Sequence, residues 1–295
     1  AADRMIQDGP VPDVLTLLNE AGDVDDLAEL RRRVVSAETV RQVVAIRPID
    51  FDAVRTLADA LWEEAAPPLL DALAIEEDRT ARHRLLELLA SLGPAVGPQV
   101  VERLTPDAEW YVVRNMLALL GSLPEVPATF TAAPFYKHAD GRVRFEALKL
   151  VIREPAARDR AICDALVSGD ERTLRIALAA AIERCPAAAV PLLVRRVGDS
   201  GGDPALQLLA VRALAQAGAP AAMECLVRCC VTPRRWFRRE RLAPRSPVML
   251  AALGGLAGKW RRSPRAAAVL AWAAASPDAD VRAAAGTEPA DGGTA

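Results

Sequence analysis

The chain has 295 residues and a formal net charge of −2. Aromatic residues make up only 4 % of it, while Ala and Leu predominate, and this composition suits closely packed helices better than sheets. No apolar run approaches the roughly 18 to 20 residues that a membrane-spanning helix needs. The five cysteines are odd in number and none lies in a Cys-x-x-Cys spacing, so we expect reduced thiols in a cytoplasmic protein.

The nearly neutral total conceals a separation of charge along the chain. Residues 1–80 contain 8 Arg against 18 Asp and Glu, a net charge of −10. Residues 228–265 contain 10 Arg and Lys259 against the single Glu240, a net charge of +10. Such a separation predicts two surfaces of opposite potential, which would contact different partners.

The first 49 residues are predicted to form an acidic helical cap. Three short helices are expected there, at Pro12–Glu20, Asp23–Ser36 and Glu38–Ala45, with Gly22 and a Ser36 cap as their boundaries. These segments lack the pattern that dominates the rest of the chain. Terminal units of a repeat array need an atypical, polar outer face, which an acidic segment supplies.

From residue 50 onward one helical pattern recurs. An apolar residue comes directly before, and another three places after, each of eight anchor positions: Arg55, Arg82, Arg114, Arg144, Arg175, Gln207, Leu250 and Arg282. That spacing marks one face of a helix. Successive anchors lie 27, 32, 30, 31, 32, 43 and 32 residues apart. A period near 31 residues indicates an array of helical repeats over residues 50–285.

Each repeat is predicted to be a pair of helices. In chain order the pairs are Asp50–Glu64 with Pro67–Ile75, Asp78–Leu92 with Ala95–Leu104, Asp107–Leu123 with a poorer element near Pro127–Tyr136, Asp140–Ile152 with Ala156–Ser168, Asp170–Arg184 with Ala188–Val197, Pro204–Ala217 with Ala219–Val231, and Ser246–Trp260 with Pro264–Ala275. A truncated helix, Asp278–Ala285, follows, and residues 286–295 have the composition of a disordered tail.

One interval breaks the period. The anchors Gln207 and Leu250 lie 43 residues apart, about 12 more than usual for this array, and the surplus falls at residues 232–245. Insertions within repeats usually form loops on one face, often the binding face.

Several phrases resemble bacterial HEAT repeats. They are Asp140-Gly141-Arg142-Val143-Arg144, Asp278-Ala279-Asp280-Val281-Arg282, Trp110-Tyr111-Val112-Val113-Arg114-Asn115, and Leu120-Gly121 or Ala217-Gly218 at helix ends. The resemblance covers roughly residues 50–285. It implies an all-α, right-handed α-α superhelix of about seven helix pairs, with the second helices lining a concave surface. It implies little about activity, since the family includes scaffolds, transport receptors and a few enzymes.

The insertion and the next inter-helix turn supply the candidate binding residues. Arginine guanidinium groups suit bidentate contacts with carboxylates or phosphates, and aromatic side chains can anchor a partner or stack on bases. The candidates are Arg234, Arg235, Trp236, Phe237, Arg238, Arg239, Arg241, Lys259, Trp260, Arg261 and Arg262. Two interpretations remain open: a surface for a partner, or aromatics that fasten the loop while the arginines stay solvated.

The other notable residues have structural interpretations. Because the anchor arginines recur with the period, we expect each to pair with an Asp of its own or the next repeat, such as Asp140, Asp170 or Asp278. Cys225, Cys229 and Cys230 lie on one predicted helix, and without further ligands nearby we interpret them as core thiols and not as a metal site. No cofactor is predicted.

Enzyme patterns are weak. The chain lacks the His-Glu pair by which a HEAT-like deoxyhypusine hydroxylase binds iron, and nothing in it supports a phycobilin lyase. Asp107 with Trp110 only faintly resembles the carboxylate and tryptophans of HEAT-like DNA glycosylases. We therefore predict a non-catalytic interaction module for another protein or an acidic peptide. The alternative is a polyanion or DNA binder of the repair-glycosylase type.

Overall fold

The computed structural model describes residues 32–199, 201–232 and 240–286. Within these ranges the regular structure is helical apart from one isolated β-bridge, which confirms the predicted all-α class. The chain divides into two compact units, Ala1–Leu150 and Val151–Ala295. The helix predicted at Pro12–Glu20, most of that at Asp23–Ser36 and nearly all of the tail lie outside the described residues.

The first unit contains two layers of helices. Its helices are α1 (Ala37–Ala45), α2 (Phe51–Leu61), α3 (Ala66–Ile75), α4 (Arg79–Ser91), α5 (Val96–Glu102), α6 (Trp110–Ser122) and α7 (Gly141–Val151). One layer contains α1, α3 and α5, with α3 packed on both of the others, and α4 packs on α6 in the second layer. The prediction of a helix at Glu38–Ala45 with a Ser36 cap is confirmed, since the Ser36 hydroxyl accepts the Thr39 N–H at 3.2 Å.

The second unit repeats this arrangement with greater regularity. Its helices are α8 (Pro155–Leu166), α9 (Glu171–Glu183), α10 (Val190–Gly198), α11 (Pro204–Gln216), α12 (Pro220–Cys230), α13 (Pro247–Lys259), α14 (Pro264–Ala274) and α15 (Ala279–Ala284). Helices α9, α11, α13 and α15 pack in succession in one layer, and α8, α10, α12 and α14 in the other. Stacked helical hairpins of this kind define the α-solenoid class. The handedness of the superhelix stays a prediction.

The recurring sequence pattern coincides with the buried face of these helices. All eight residues three places after an anchor are buried: Ala58, Leu85, Leu117, Ala147, Leu178, Ala210, Leu253 and Ala285. The residues directly before the anchors are buried too, except that Ala81 is half-buried. The helical frame read from the sequence is therefore confirmed. Burying these side chains stabilises the array by removing apolar area from water, at about 25 cal/mol per Å².

Short polar side chains determine where many of the helices begin. Asp78 accepts the backbone N–H of Ala81 at 2.7 Å, Asp170 accepts that of Thr173 at 2.8 Å, and Asp203 accepts that of Ala205 at 2.8 Å. Each bond satisfies an N–H group that has no partner within the helix. Replacing such a cap by Ala typically costs about 1 kcal/mol.

The prediction of a second helical element near Pro127–Tyr136 is wrong. The structure has no α-helix there, only a 3-10 turn at Phe135–Lys137. Pro124, Pro127 and Pro134 each lack an N–H and restrict the preceding residue, so a continuous helix cannot form. The segment lies against α5 instead, because a Cβ atom added to Gly97 would come within 2.8 Å of Pro127 Cγ.

The contact between α11 and α13 depends on a residue without a side chain. A Cβ atom at Gly255 would lie 2.6 Å from the Ala215 Cβ atom and 3.2 Å from the Ala215 Cα atom. Because the obstacle includes backbone, it cannot move aside as a flexible side chain would. Gly254 and Gly258, on the same helix, have open space at the equivalent position.

We predict that Gly255→Ala lowers the free energy of unfolding by about 1–3 kcal/mol, the usual cost of overpacking. Gly254→Ala should raise it by up to about 1 kcal/mol, because Ala favours a helix more than Gly does. Urea denaturation followed by circular dichroism measures both. Equal stabilities for the two variants would show that α11 and α13 do not approach as closely as described.

Candidate interaction surface

The structure describes only part of the predicted basic surface. Six of the eleven candidate residues lie outside the described residues, namely Arg234, Arg235, Trp236, Phe237, Arg238 and Arg239. Arg241, Lys259, Trp260, Arg261 and Arg262 are described. The point at which the insertion joins the fold is nevertheless defined, because residues 230–232 and 240–243 are described.

The two ends of the insertion are held together by backbone hydrogen bonds. Val231 and Leu242 form an antiparallel β-bridge. The Thr232 N–H donates to the Arg241 carbonyl at 2.9 Å, and the Ala243 N–H donates to the Cys230 carbonyl at 2.8 Å. We call residues 230–232 and 241–243 the stem. The stem fixes the insertion to the C-terminal end of α12 and leaves the Arg241 side chain exposed.

The second basic segment is engaged with helix ends. Lys259 donates to the carbonyl of Gln216, the last residue of α11, at 2.5 Å. Arg261 donates to the carbonyls of Ala257 at 3.4 Å and Ala285 at 3.5 Å. Cationic groups are favourable at the C-terminal ends of helices, where carbonyls lack partners and the helix dipole is negative. These two residues therefore have a structural role.

Trp260 and Arg262 complete this segment and differ from each other. The Trp260 Nε1 atom is buried and has no hydrogen-bond partner among the described residues, so the indole is packed against the protein. Arg262 is exposed and is the member of this segment that is available to contact a partner.

The described candidate residues lie at different ends of α13. The stem, with Arg241, adjoins the N-terminal end of α13, whereas Lys259–Arg262 come at its C-terminal end. A helix of 13 residues is about 19 Å long at 1.5 Å per residue. Arg241 and residues 259–262 are thus separated by about the length of this helix.

A cavity lies at the same end of the second unit as the stem. It has a volume of about 270 Å³. Its walls are the C-terminal ends of α10 and α12 and the N-terminal ends of α11 and α13, represented by Val194, Val197, Gly198, Gln207, Cys225, Arg228, Cys229 and Val248. We call it the stem cavity. The stem begins one residue after Cys229, so the insertion leaves the fold at the edge of this cavity.

Arginines dominate the last turns around the stem cavity. Arg195 and Arg196 lie in the last turn of α10, and Arg228 lies in the last turn of α12. Arg195 and Arg228 are exposed, and Arg196 is half-buried. Arg245, beyond the stem, is paired with Asp278 and Asp280 at the start of α15. The edge from which the insertion emerges is therefore itself basic.

Three of the six anchor arginines are bound to backbone carbonyls. Arg82, Arg144 and Arg282 each donate from Nη1 to the carbonyls five and six residues earlier, at distances from 2.6 to 3.2 Å. The expected pairing with Asp is therefore wrong for Arg82 and Arg144, because the nearby Asp78 and Asp140 oxygens already accept helix N–H groups. It is confirmed for Arg175, whose Nη2 lies 3.4 Å from Asp203.

Trp110 does not offer the free face that a base-binding enzyme would need. The Arg142 guanidinium carbon lies 3.5 Å from the centroid of its ring, and that of Arg114 lies 5.5 Å away. Arg142 is held there by Asp140, and this ion pair lowers the pKa of Asp140 to about 2. Asp107 is exposed, and a hydrogen bond with Thr105 lowers its pKa. The similarity to a glycosylase site is not strengthened by this geometry.

The described residues show neither a metal-binding cluster nor a membrane-spanning helix. No group of three or more His, Cys, Asp or Glu side chains in that part of the chain is placed to hold a metal ion. Among the helices described, none combines the length and apolar character required to cross a bilayer.

Comparison with known proteins supports the repeat architecture. A family model of HEAT repeats matches residues 160–243, which span α9 to α12 and the insertion. Together with the stacked hairpins, this match supports a HEAT-like repeat protein. No curated protein matches the chain.

Two solved structures are similar to the chain. A crystal structure of an engineered protein is 17 % identical, with a TM-score of 0.47, covering 92 % of this chain and 81 % of its own. Human deoxyhypusine hydroxylase in complex with glycerol is 15 % identical, with a TM-score of 0.31, covering 85 % of this chain and 93 % of its own. Because both TM-scores are below 0.5, neither structure informs the function of this chain.

The bonds of the anchor arginines generate a stability prediction. Arg144→Met should lower the free energy of unfolding by about 1–2 kcal/mol, since it removes two charge-assisted hydrogen bonds that tie residues 138 and 139 to α7. Arg55→Met is the control, because no hydrogen bond from Arg55 is found among the described residues, and it should cost less than about 0.5 kcal/mol. Urea denaturation of both variants gives the comparison.

A third variant separates charge from geometry. Arg144→Lys keeps the positive charge but cannot reach two carbonyls with a planar fork, so it should recover little of the lost stability. Full recovery with Lys would mean that the charge alone matters.

Proposed function

We propose that the chain is a non-catalytic interaction module that binds an acidic segment of another protein at the insertion between α12 and α13. One observation carries the proposal: the stem holds a strongly basic insertion at an ordered edge that already contains a cavity and further arginines. Because this platform is preformed, little conformational entropy is lost when a partner docks on it. The match to HEAT repeats over residues 160–243 supports the interaction role, since solenoids present extended binding surfaces.

The charge around the insertion favours an acidic partner. Residues 228–245 contain seven arginines and one acidic residue, Glu240. Arginine forms bidentate hydrogen bonds with carboxylates, and the methylene groups of its side chain also cover apolar surface. Trp236 and Phe237 would supply the aromatic anchors that protein interfaces concentrate at their centres.

The C-terminal end of α13 has no part in this proposal. Lys259 and Arg261 are engaged with the carbonyls of other helices, so replacing them would disturb packing. We also propose the acidic cap at residues 1–49 as a second binding surface, for a positively charged partner. The proposed location of the protein is the cytoplasm.

Replacing the five insertion arginines by Ser should weaken binding at least about tenfold, through loss of charge-assisted contacts. The probe is a fluorescein-labelled peptide rich in Glu and Asp, and the measurement is fluorescence anisotropy. A control with the same loss of charge replaces five exposed arginines elsewhere in the second unit: Arg160, Arg172, Arg184, Arg212 and Arg265. This control should bind within about twofold of the natural chain. Equal weakening of both variants would refute a local contact, and so would no weakening of the insertion variant.

Salt distinguishes a protein partner from a nucleic acid. A contact with several phosphates loses about a thousandfold or more in affinity between about 50 and 200 mM salt, because counterions are released. We expect the affinity for the peptide to fall by less than about tenfold over that range. Fewer ion pairs form with a peptide than with a duplex, and an aromatic anchor also contributes to the affinity. The same titration with a random-sequence DNA duplex is the comparison. Tighter binding of the duplex, with the steeper slope, would favour the polyanion interpretation instead.

A further inference from the structure

The stem cavity contains two thiols one helical turn apart. Cys225 and Cys229 both line it, together with Arg228 and Gln207. Cys225 is buried in the fold and Cys229 is half-buried, so both are reached through the cavity. The sequence assigned Cys225, Cys229 and Cys230 to the core. This is confirmed for Cys225 and Cys230, whose side chains are buried, and the Cys230 Sγ atom lies 3.9 Å from the Met249 carbonyl oxygen.

The surroundings of the Cys225 sulfur favour a thiolate. The Cys229 thiol, one turn later on α12, and the positive charge of Arg228 both favour the ionised form of Cys225. These interactions outweigh burial and lower the pKa of Cys225 to about 7. The interaction with Cys225, together with burial, raises the pKa of Cys229.

The remaining cysteines are less ionised. Burial raises the pKa of Cys185 to about 11 and that of Cys230 to about 12, and it also raises the pKa of Cys163. All five cysteines belong to the described part of the chain. Cys225 is therefore distinguished from these three cysteines by its place in the cavity and by the groups beside it, Cys229 and Arg228.

We propose that Cys225 and Cys229 form a peroxide-reactive dithiol, with Cys225 as the attacking thiolate and Cys229 as the resolving thiol. In the first step the Cys225 thiolate attacks hydrogen peroxide. The peroxide O–O bond breaks, the sulfur is oxidised to a sulfenic acid, and the departing hydroxide takes a proton and leaves as water. In the second step the Cys229 sulfur attacks the sulfenic sulfur, forming a disulfide and releasing a second water. The two electrons come from the thiol pair.

The disulfide would change the end of α12. Residues four apart on a helix have Cβ atoms about 5–6 Å apart, whereas a disulfide needs about 3.5–4.5 Å. The last turn of α12 must therefore loosen for the bond to close. That turn also carries the Cys230 carbonyl, which accepts the Ala243 N–H of the stem. Oxidation would therefore disturb the stem that holds the insertion.

A peptide map of the full chain tests the dithiol directly. The reduced protein is treated with one equivalent of hydrogen peroxide at neutral pH, quenched with N-ethylmaleimide and digested with trypsin. Cleavage after Arg212, Arg228 and Arg234 separates Cys225 from Cys229, so the disulfide appears as peptide 213–228 linked to peptide 229–234. We expect this linked pair as the main product.

Three variants assign the sulfurs. The linked pair should persist in Cys230→Ser, which leaves Cys229 as the only cysteine of its peptide. It should be lost in Cys229→Ser, where a 1,3-diketone reagent should instead trap Cys225 as the sulfenic acid. In Cys225→Ser neither product should form. A linked pair that persists in Cys229→Ser would overturn the assignment of the resolving thiol.

A measurement on the natural chain avoids any variant that folds poorly. The rate of alkylation by N-ethylmaleimide is followed at each cysteine by mass spectrometry at pH 7. Cys225 should react at least about tenfold faster than Cys185, because a far larger fraction of it is thiolate and this exceeds its lower intrinsic nucleophilicity. Reaction of Cys225 at or below the rate of Cys185 would overturn the proposal, whatever partner the insertion binds.

Discussion

Close packing of each helix against its counterpart in the next repeat is the constraint on which the whole structure depends. A single hairpin of two short helices cannot bury its apolar face alone, so neighbouring hairpins must supply the other side of the core. The residues three places after each anchor are buried for this reason. Where α11 meets α13, the approach is so close that position 255 has no room for a Cβ atom.

Stacking hairpins also brings many helix ends to the edges of each unit, and their polar groups need partners. Asp and Ser side chains satisfy N–H groups at the beginnings of helices, as Asp78 and Asp170 do. Arg and Lys satisfy carbonyls, as Arg144 does before α7 and Lys259 does at the end of α11. Much of the charge on this protein is therefore structural. A cluster of basic residues in such a chain is evidence for binding a partner only where those residues do not already hydrogen-bond helix carbonyls.

The insertion between α12 and α13 is the place where the period of the repeats is broken. Its stem attaches to the last turn of α12, and that turn also bears Arg228, Cys229 and part of the stem cavity wall. Charge, cavity and thiols thus share one short stretch of helix. A change in the geometry of that turn would act on the stem through the Cys230 carbonyl, which accepts the Ala243 N–H.

The sequence by itself determined the helical class, the repeat frame and many of the helix beginnings, because these follow from local periodicity and from capping residues next to the helix they begin. Tertiary structure decided the rest. Spacing along the chain placed Arg241 and Lys259–Arg262 in one candidate surface, but α13 runs between them and puts them at opposite ends. The partners of Arg82, Arg144 and Arg282 are carbonyls, which no residue type reveals. The core assignment of Cys225 is right, since its side chain is buried, but the sequence did not reveal the gap between α10, α11, α12 and α13 that Cys225 and Cys229 both line. A cavity exists only where the ends of several helices meet, and that meeting is set by packing between repeats.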